Sequence, residues 1–246
     1  MTDNNLIQPL VINGLSVAHD KKTVFENLSL HVRPGEIFVL IGVNGAGKTS
    51  LMKAALCLLE PDAGDMQFFG MSSRVPESRR RVAYLPENFR PPAAMKGAQF
   101  LRLALGFHNI SFDRPRADRL ARLIDLDPAA LDRRIATLSK GMAQKVGLLT
   151  AFLTDCPLLI LDEPMSGLDP RARIMLKTQM QAYRTLGKAI FLSSHILTDL
   201  EELCDRIAVL HHGGLRFTGT PGALLQAQGS ASLEQAFLAL IAESPQ

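Results

Sequence analysis

The chain has 246 residues, 47% of them hydrophobic, and a formal net charge of +3. This length and composition suit one large domain with a sizeable buried core and disfavour a disordered chain. The basic residues are dispersed, so the charge gives only weak support for nucleic acid or anionic lipid as a partner. Cys57, Cys156 and Cys204 share no close spacing, and we expect them to be buried as small hydrophobes in a reducing compartment.

No membrane-spanning segment is expected. Residues 1–10 lack a basic stretch followed by a long apolar one, so no signal peptide is predicted. The longest apolar candidate, residues 148–161, is interrupted by Asp155 and Pro157. It is shorter than the ~20 apolar residues that a bilayer span requires. Any work at a membrane is therefore expected to need a partner chain.

The N-terminal part of the chain predicts strands. Residues 11–17 and 24–32 show half-buried patterns, and a turn at Pro34-Gly35 follows the second of them. We expect these two strands to pair in antiparallel fashion. The continuous apolar run 37–41 suits a strand covered on both faces, and glycines and a helix over about 48–59 follow it.

The rest of the chain predicts a mainly parallel sheet with crossover helices. The apolar runs that indicate its strands are 158–161, 189–192 and 207–210. From about residue 87 to 154 only helical patterns occur, which favours an inserted helical subdomain. The α/β core would then comprise about 1–86 and 155–246, and it would close with a short helix over 233–241.

A phosphate-loop pattern, Gly-Val-Asn-Gly-Ala-Gly-Lys-Thr, lies between an expected strand and an expected helix. Its glycines would let backbone N–H groups surround phosphates at the helix N-terminus. Lys48 would reach the β- and γ-phosphates, and Thr49 would offer its hydroxyl to Mg²⁺. The alternative is a glycine-rich turn with a chance Lys-Thr. The predicted binding residues are Gly42, Asn44, Gly45, Ala46, Gly47, Lys48, Thr49 and Ser50.

Two carboxylates end the apolar strand 158–161. Asp162 and Glu163 would lie at the carboxyl edge of the sheet, where α/β proteins bind ligands. Asp162 suits a residue that holds Mg²⁺ through its water shell, and Glu163 suits a general base or water-orienting group. A solvated strand end is the alternative. Beside a phosphate loop, the pair predicts hydrolysis as well as binding.

The segment Leu-Ser-Lys-Gly-Met-Ala-Gln-Lys over residues 138–145 resembles the signature that defines ATP-binding-cassette (ABC) proteins. A Ser-x-Gly at a helix N-terminus supplies a hydroxyl, N–H groups and the positive helix end, all suited to a γ-phosphate. As an isolated segment it would be an ordinary N-capped helix. The resemblance implies that Ser139 and Gly141 contact the ATP that begins at Lys48 of the facing subunit.

Two further segments resemble the same family and follow in its usual order. Ser-Gly-Leu-Asp, ending at Asp169, resembles the loop that crosses the dimer interface. Ser-Ser-His, ending at His195, resembles the switch histidine that touches the γ-phosphate, although a lone histidine after a strand is more often structural. The resemblance implies a P-loop NTPase core with a mainly parallel sheet, an N-terminal antiparallel portion and an inserted helical subdomain that carries the signature. It also implies an ATPase that uses ATP and Mg²⁺ as a dimer.

The sequence departs from the family pattern at two positions. His19 stands where the family usually has an aromatic residue stacked on adenine, and a surface-loop histidine is an equally good interpretation. Glu87 stands where the family usually has glutamine, after Tyr-Leu-Pro. It is predicted either to contact the metal or to act only in the hinge of the helical subdomain.

The C-terminal segments 213–221 and 232–238 resemble ATPases of bacterial exporters for drugs, lipids, polysaccharides or ions. This resemblance implies transmembrane permease subunits on separate chains and a cytoplasmic location on the inner face of the cell membrane. The ATPase would pair as a homodimer or with a second ABC ATPase, and no nucleic acid is expected. The alternatives are a soluble ABC ATPase of macromolecular remodelling or cofactor assembly, and an importer ATPase.

Overall fold

A computed structural model describes residues 7–19, 22–198 and 200–242. The strands in these ranges are β1 (Leu10–His19), β2 (Lys22–Val32), β3 (Ile37–Ile41), β4 (Ala63–Phe68), β5 (Met71–Ser72), β6 (Val82–Leu85), β7 (Leu158–Leu161), β8 (Ala189–Ser194), β9 (Arg206–His211) and β10 (Gly214–Gly219). The helices are α1 (Lys48–Ala55), α2 (Pro76–Arg79), α3 (Gly97–Gly106), α4 (Arg114–Leu123), α5 (Lys140–Leu153), α6 (Pro170–Thr185), α7 (Pro221–Gln228) and α8 (Leu233–Ala242). Short 3₁₀ turns occupy Pro128–Asp132 and Ile135–Thr137.

The larger sheet has the strand order β10-β9-β3-β8-β7-β6. All neighbours in it pair in parallel except β10, which is antiparallel to β9. Every residue of β3, β7 and β8 is buried, because both faces of the sheet are covered. Parallel strands end at the same edge, so the residues after β3, β6, β7 and β8 meet there. This arrangement confirms the predicted mainly parallel sheet.

The smaller sheet is antiparallel, with the order β2-β1-β4-β5. Its apolar residues pack with α1 against one face of the larger sheet, where Phe38 and Leu40 lie. Ile37, Val39 and Ile41 project to the opposite face, into a second core with α5, α6 and α8. The alternation of β3 side chains between two cores explains why this strand is apolar throughout.

Helices α3, α4 and α5 lie between β6 and β7, and both α3 and α4 pack against α5. The fold is thus the expected P-loop NTPase core with an antiparallel portion and a helical insertion. The boundaries of that insertion, at about 87 and 154, stay predictions. None of the helices in the described part of the chain is long and apolar enough to cross a membrane.

Some elements differ from the sequence-based expectation. Helix α1 ends at Ala55 rather than near Leu59, and Cys57 beyond it has a left-handed φ of 56°. Strands β4, β5, β6 and β10 were not predicted, since they are short or carry mostly polar and exposed residues. Cys156 and Cys204 are buried as expected, whereas Cys57 is only half-buried.

Candidate active site

The phosphate-loop segment connects β3 to α1 and needs glycine at two positions for steric reasons. A Cβ atom at Gly42 would lie 2.6 Å from the carbonyl oxygen of Leu210. At Gly47, which has a φ of 104°, it would lie 2.9 Å from Val24 Cγ1. Within the loop, the N–H of Ala46 donates to the carbonyl of Val43 over 3.1 Å. The loop is therefore a tight turn that ends at a helix N-terminus, a geometry that suits an anion.

Lys48 occupies the centre of this loop although it is only 7% exposed. Its Nζ donates to the carbonyls of Gly42, over 2.7 Å, and Val43, over 3.3 Å. The same Nζ lies 3.4 Å from Glu163 Oε1. A buried ammonium is costly unless it is paired, so these partners hold the positive charge in place.

The two carboxylates after β7 are fixed by one hydroxyl from β8. Ser193 Oγ donates to Asp162 Oδ1 over 2.6 Å and accepts the backbone N–H of Glu163 over 2.9 Å. Asp162 is fully buried, and Glu163 is 5% exposed with a left-handed φ of 49°. A non-glycine residue adopts that conformation only where its surroundings hold it, so the direction of the Glu163 side chain is strongly determined.

His195 follows β8 and completes this group. Its Nδ1 lies 2.8 Å from Glu163 Oε2, and its side chain is 43% exposed. The structure therefore brings Lys48, Glu163 and His195 into one contiguous set, with Glu163 between the ammonium and the imidazole. A carboxylate in that position has one oxygen toward each basic group, which orients it without a bulk-water contact.

Two buried carboxylate oxygens, Asp162 Oδ2 and Glu163 Oε1, have no hydrogen-bond partner among the described residues. Buried polar atoms are normally satisfied, so these acceptors suit a cation or its water shell. The pKa of the neighbouring Tyr84 phenol is raised, first by burial and then by the charges of Asp162 and Glu87. Within the described ranges, no group of three or more His, Cys, Asp or Glu side chains could hold a metal by itself. The donors thus suit Mg²⁺, which keeps waters and takes few protein ligands beside substrate phosphates.

Most of the predicted site residues line one cavity of about 610 Å³. The members of that lining are His19, Val24, Asn44, Gly45, Ala46, Gly47, Lys48, Thr49, Ser50, Glu87, Glu163, Ser166 and His195. Gly42 and Asp162 do not line it, since Gly42 begins the loop and Asp162 is buried behind Glu163. Polar groups from four strand ends thus converge on a space large enough for a small-molecule ligand.

A family model described as ABC transporter matches residues 25–166. That range covers more than half of the chain and includes both the phosphate loop and Glu163. The chain belongs to the ABC transporter family. As a member of this family it is an ABC ATPase, and the predicted family resemblance is confirmed.

Individual relatives agree with this assignment. The chain is 39% identical over 215 residues to an uncharacterized ABC transporter ATP-binding protein of Nostoc sp., an alignment covering 86% of this chain and 64% of the relative. It is 33% identical over 228 residues to Nod factor export ATP-binding protein I of Burkholderia pseudomallei, covering 90% and 74% of the two chains. The chain therefore spans less than two thirds of the length of the Nostoc protein.

A solved structure described as the ATP binding subunit of an ABC transporter superimposes with a TM-score of 0.86 at 35% identity. The superposition covers 94% of this chain and 98% of that chain. At this identity the likeness extends beyond the general fold, and it includes both the parallel sheet and the helical insertion.

The ABC signature lies in a different cavity from the phosphate loop. Ser139 is the N-cap of α5, and its Oγ accepts the N–H of Met142 over 3.2 Å. A Cβ atom at Gly141 would lie 3.0 Å from the carbonyl oxygen of Gly167, so the signature packs closely against the loop before α6. Both segments line a cavity of about 360 Å³ that shares no residue with the phosphate-loop cavity.

Asp169 also lines this signature cavity and caps α6. Its Oδ1 accepts the N–H of Ala172 over 2.9 Å, and this hydrogen bond is the main cause that lowers the pKa of the Asp169 carboxyl. Within one chain, the structure therefore places Ser139, Gly141 and Asp169 together but apart from Lys48.

His19 ends β1 at the border between the phosphate-loop cavity and an adjoining cavity of about 680 Å³. The adjoining cavity is lined by Thr23 and by the His211–His212 pair, whose ring centroids lie 4.0 Å apart. This position suits the base of a nucleotide whose phosphates lie at the loop, so stacking by His19 stays a prediction.

Sequence reasoning missed Ser193 as the residue that holds both carboxylates. A signal existed in the strand register, because Leu161 pairs with Leu192 in parallel strands. The next residues along, Asp162 and Ser193, must then be neighbours at the sheet edge. A serine at the end of the apolar strand β8 was thus the available clue.

Proposed function

We propose that this ABC ATPase binds and hydrolyses Mg-ATP as the energy-supplying subunit of an exporter, in a dimer with two ATP molecules at its interface. The observation that carries the hydrolytic part is the position of Glu163. It lies between Lys48 and His195 with one buried oxygen unpartnered, beside a loop built for phosphates. A structural ion pair would need neither the free oxygen nor the cavity.

Binding begins with the phosphate loop. Its N–H groups and the N-terminus of α1 attract the triphosphate, and the Lys48 ammonium neutralises charge on the β- and γ-phosphates. Thr49 and Asp162, with Glu87 at the edge, would hold Mg²⁺ in this arrangement. Bound Mg²⁺ would neutralise charge on the phosphate oxygens.

Hydrolysis is assigned to the pair of Glu163 and His195. Glu163 accepts a proton from a water molecule that attacks the γ-phosphate, so it acts as the general base. His195 fixes one carboxylate oxygen and presents its exposed ring edge to the cavity. Ser193 positions the base by binding the backbone N–H of Glu163.

The dimer follows from the separation of the two cavities. The signature cavity contains a capping hydroxyl, an α-helix N-terminus and the basic residues Lys140 and Lys145. The phosphate-loop cavity contains the acidic Glu87 and Glu163. Two chains facing each other about a twofold axis would bring each signature cavity onto the partner's loop, as in an isologous interface.

Export is supported by relatives named for it, the Nod factor export ATP-binding proteins of several Burkholderia species. The C-terminal resemblance to exporter ATPases points the same way. The proposal therefore places the chain at the inner face of the cell membrane, bound to permease subunits on separate chains. Importing and soluble remodelling ABC ATPases are the competing classes.

The hydrolytic role is tested with Glu163→Gln, which keeps the side-chain shape and removes the base. Turnover should fall by roughly 10²–10⁴-fold, the usual contribution of a general base, while ATP still binds. Sizing with Mg-ATP should show the variant accumulating as a dimer. Glu77→Gln, at an exposed position on α2, is the matched control and should hydrolyse normally. Near-normal turnover in Glu163→Gln would refute the assignment.

The transport role is tested by co-expression with a membrane protein that is encoded beside this gene and has about six apolar spans. The two chains should stay together in detergent, and a lipid or drug-like compound should raise hydrolysis by the pair. No complex, together with hydrolysis raised by ribosomes or another soluble assembly, would favour the remodelling class instead.

A further inference from the structure

The segment that carries His195 is supported from outside the site. After β8, residues 195–198 form no helix or strand, and Leu197, Leu200 and Leu203 anchor the chain in the core. The Oγ of Ser194 accepts the N–H of Ile196 over 3.0 Å, which bends the chain directly beside His195. Because the His195 side chain is 43% exposed, its position depends on how this segment is held.

The last described helix, α8, contacts this segment by a hydrogen bond and by an apolar side chain. Glu201 Oε1 accepts the N–H of Leu233, the first residue of α8, over 2.6 Å. That N–H has no partner within its own helix, so the carboxylate satisfies it and complements the helix dipole. One turn further on, Phe237 is only 8% exposed and packs in the same core as Leu197.

Phe237 also lies close to the site itself. It lines a cavity of about 200 Å³ together with His195, Leu197 and the start of the phosphate loop, Gly42 to Asn44. The aromatic ring is thus the element that fills the space between the switch histidine and the loop. Leu238, the next residue, is 60% exposed and points away from that space.

We propose that Phe237 is a positioning residue for His195, so that α8 sets the geometry of the switch histidine. This inference rests on the proposed ATP hydrolysis. The ring acts as a packing wedge: without it, the 200 Å³ cavity enlarges and the turn after β8 can move away from the phosphate loop. Small displacements of a catalytic group lower its rate strongly while leaving substrate contacts made elsewhere intact.

The test compares Phe237→Ala with Leu238→Ala, adjacent positions on one helix with opposite exposure. For Phe237→Ala, kcat should fall roughly tenfold, and the KM for ATP should stay within about twofold because the loop and Lys48 are untouched. Leu238→Ala should match the wild type. Phe237→Leu should recover most of the lost rate, since it refills the space with an apolar group.

A double-variant cycle separates positioning from general stability. In a His195→Ala background, measured in single turnover at high enzyme concentration, Phe237→Ala should cause no further loss. Losses that multiply, or an unchanged kcat in Phe237→Ala, would overturn the proposal. If Phe237→Ala does not fold, Phe237→Leu and Glu201→Gln are put through the same cycle with the same criteria. A wild-type chain without Glu163-dependent hydrolysis would refute the proposed function itself, whereas failure of this inference leaves that activity intact.

Discussion

The two functional cavities of this ABC ATPase are chemically opposite. The phosphate-loop cavity contains the buried ion pair of Lys48 and Glu163 and two acceptor oxygens without partners. In the signature cavity, the capping hydrogen bonds of Ser139 and Asp169 are already made. One cavity therefore has chemistry to perform, and the other offers a rigid surface with fixed donors.

This difference explains how one chain can hold only half of a working site. The β-strand edge provides the carboxylates and the histidine, which need exact support from neighbouring strands. The helix N-terminus of α5 provides positive potential and N–H groups, which need only face a phosphate. Since the two cavities share no residue, the account requires a second chain to join them.

The comparison is broken most severely on the phosphate-loop side by Lys48→Ala. Affinity for ATP should fall by roughly tenfold to a hundredfold, the value of a hydrogen bond between charged groups. Calorimetry measures it, and Lys53→Ala, exposed on the same helix α1, should bind ATP like the wild type. Equal ATP affinity in Lys48→Ala and wild type would show that the loop does not bind the phosphates.

A smaller effect is expected from Glu87, at the rim of the same cavity. If Glu87 contacts the metal, Glu87→Gln should keep the fold and shift the Mg²⁺ dependence of hydrolysis by up to about fivefold, as for an exposed charge pair. Glu87→Ala should lower turnover further. Identical Mg²⁺ titrations for wild type and both variants would leave only the hinge role.

The sequence predicted the phosphate-loop half well because its chemistry is local. Gly42 to Thr49 and the Asp162-Glu163 pair are contiguous motifs, and the strand patterns before them place both at one sheet edge. The support of these residues could not be predicted in the same way. Ser193 and Phe237 act through contacts between segments far apart in the chain, and strand or helix packing alone brings them to the site.

Short strands were missed for a related reason. Strand β6 has four residues and β5 only two, so neither shows a period that distinguishes a strand from a loop. Their pairing with β7 and β4 is what makes them strands. Tertiary contacts, not local preference, therefore decide these elements.

The central claim, that a working site takes its halves from two chains, is tested most directly by mixing two inactive variants. Lys48→Ala damages the phosphate loop, and Gly141→Asp puts a carboxylate where the γ-phosphate should approach the signature. In a mixed dimer, one site would carry both lesions and the other would be intact. Partial ATPase activity, or ATP-dependent dimerisation where hydrolysis needs two competent sites, should therefore return across a series of mixing ratios.

The mixing experiment uses differently tagged chains, so that exchange of subunits is measured in the same samples. The account predicts that the mixture exceeds both homodimers in turnover or in ATP-dependent dimer formation. If the tagged chains exchange and neither signal rises above those of the two homodimers, Lys48 and Gly141 do not serve one site between two chains, and the shared-site account is wrong.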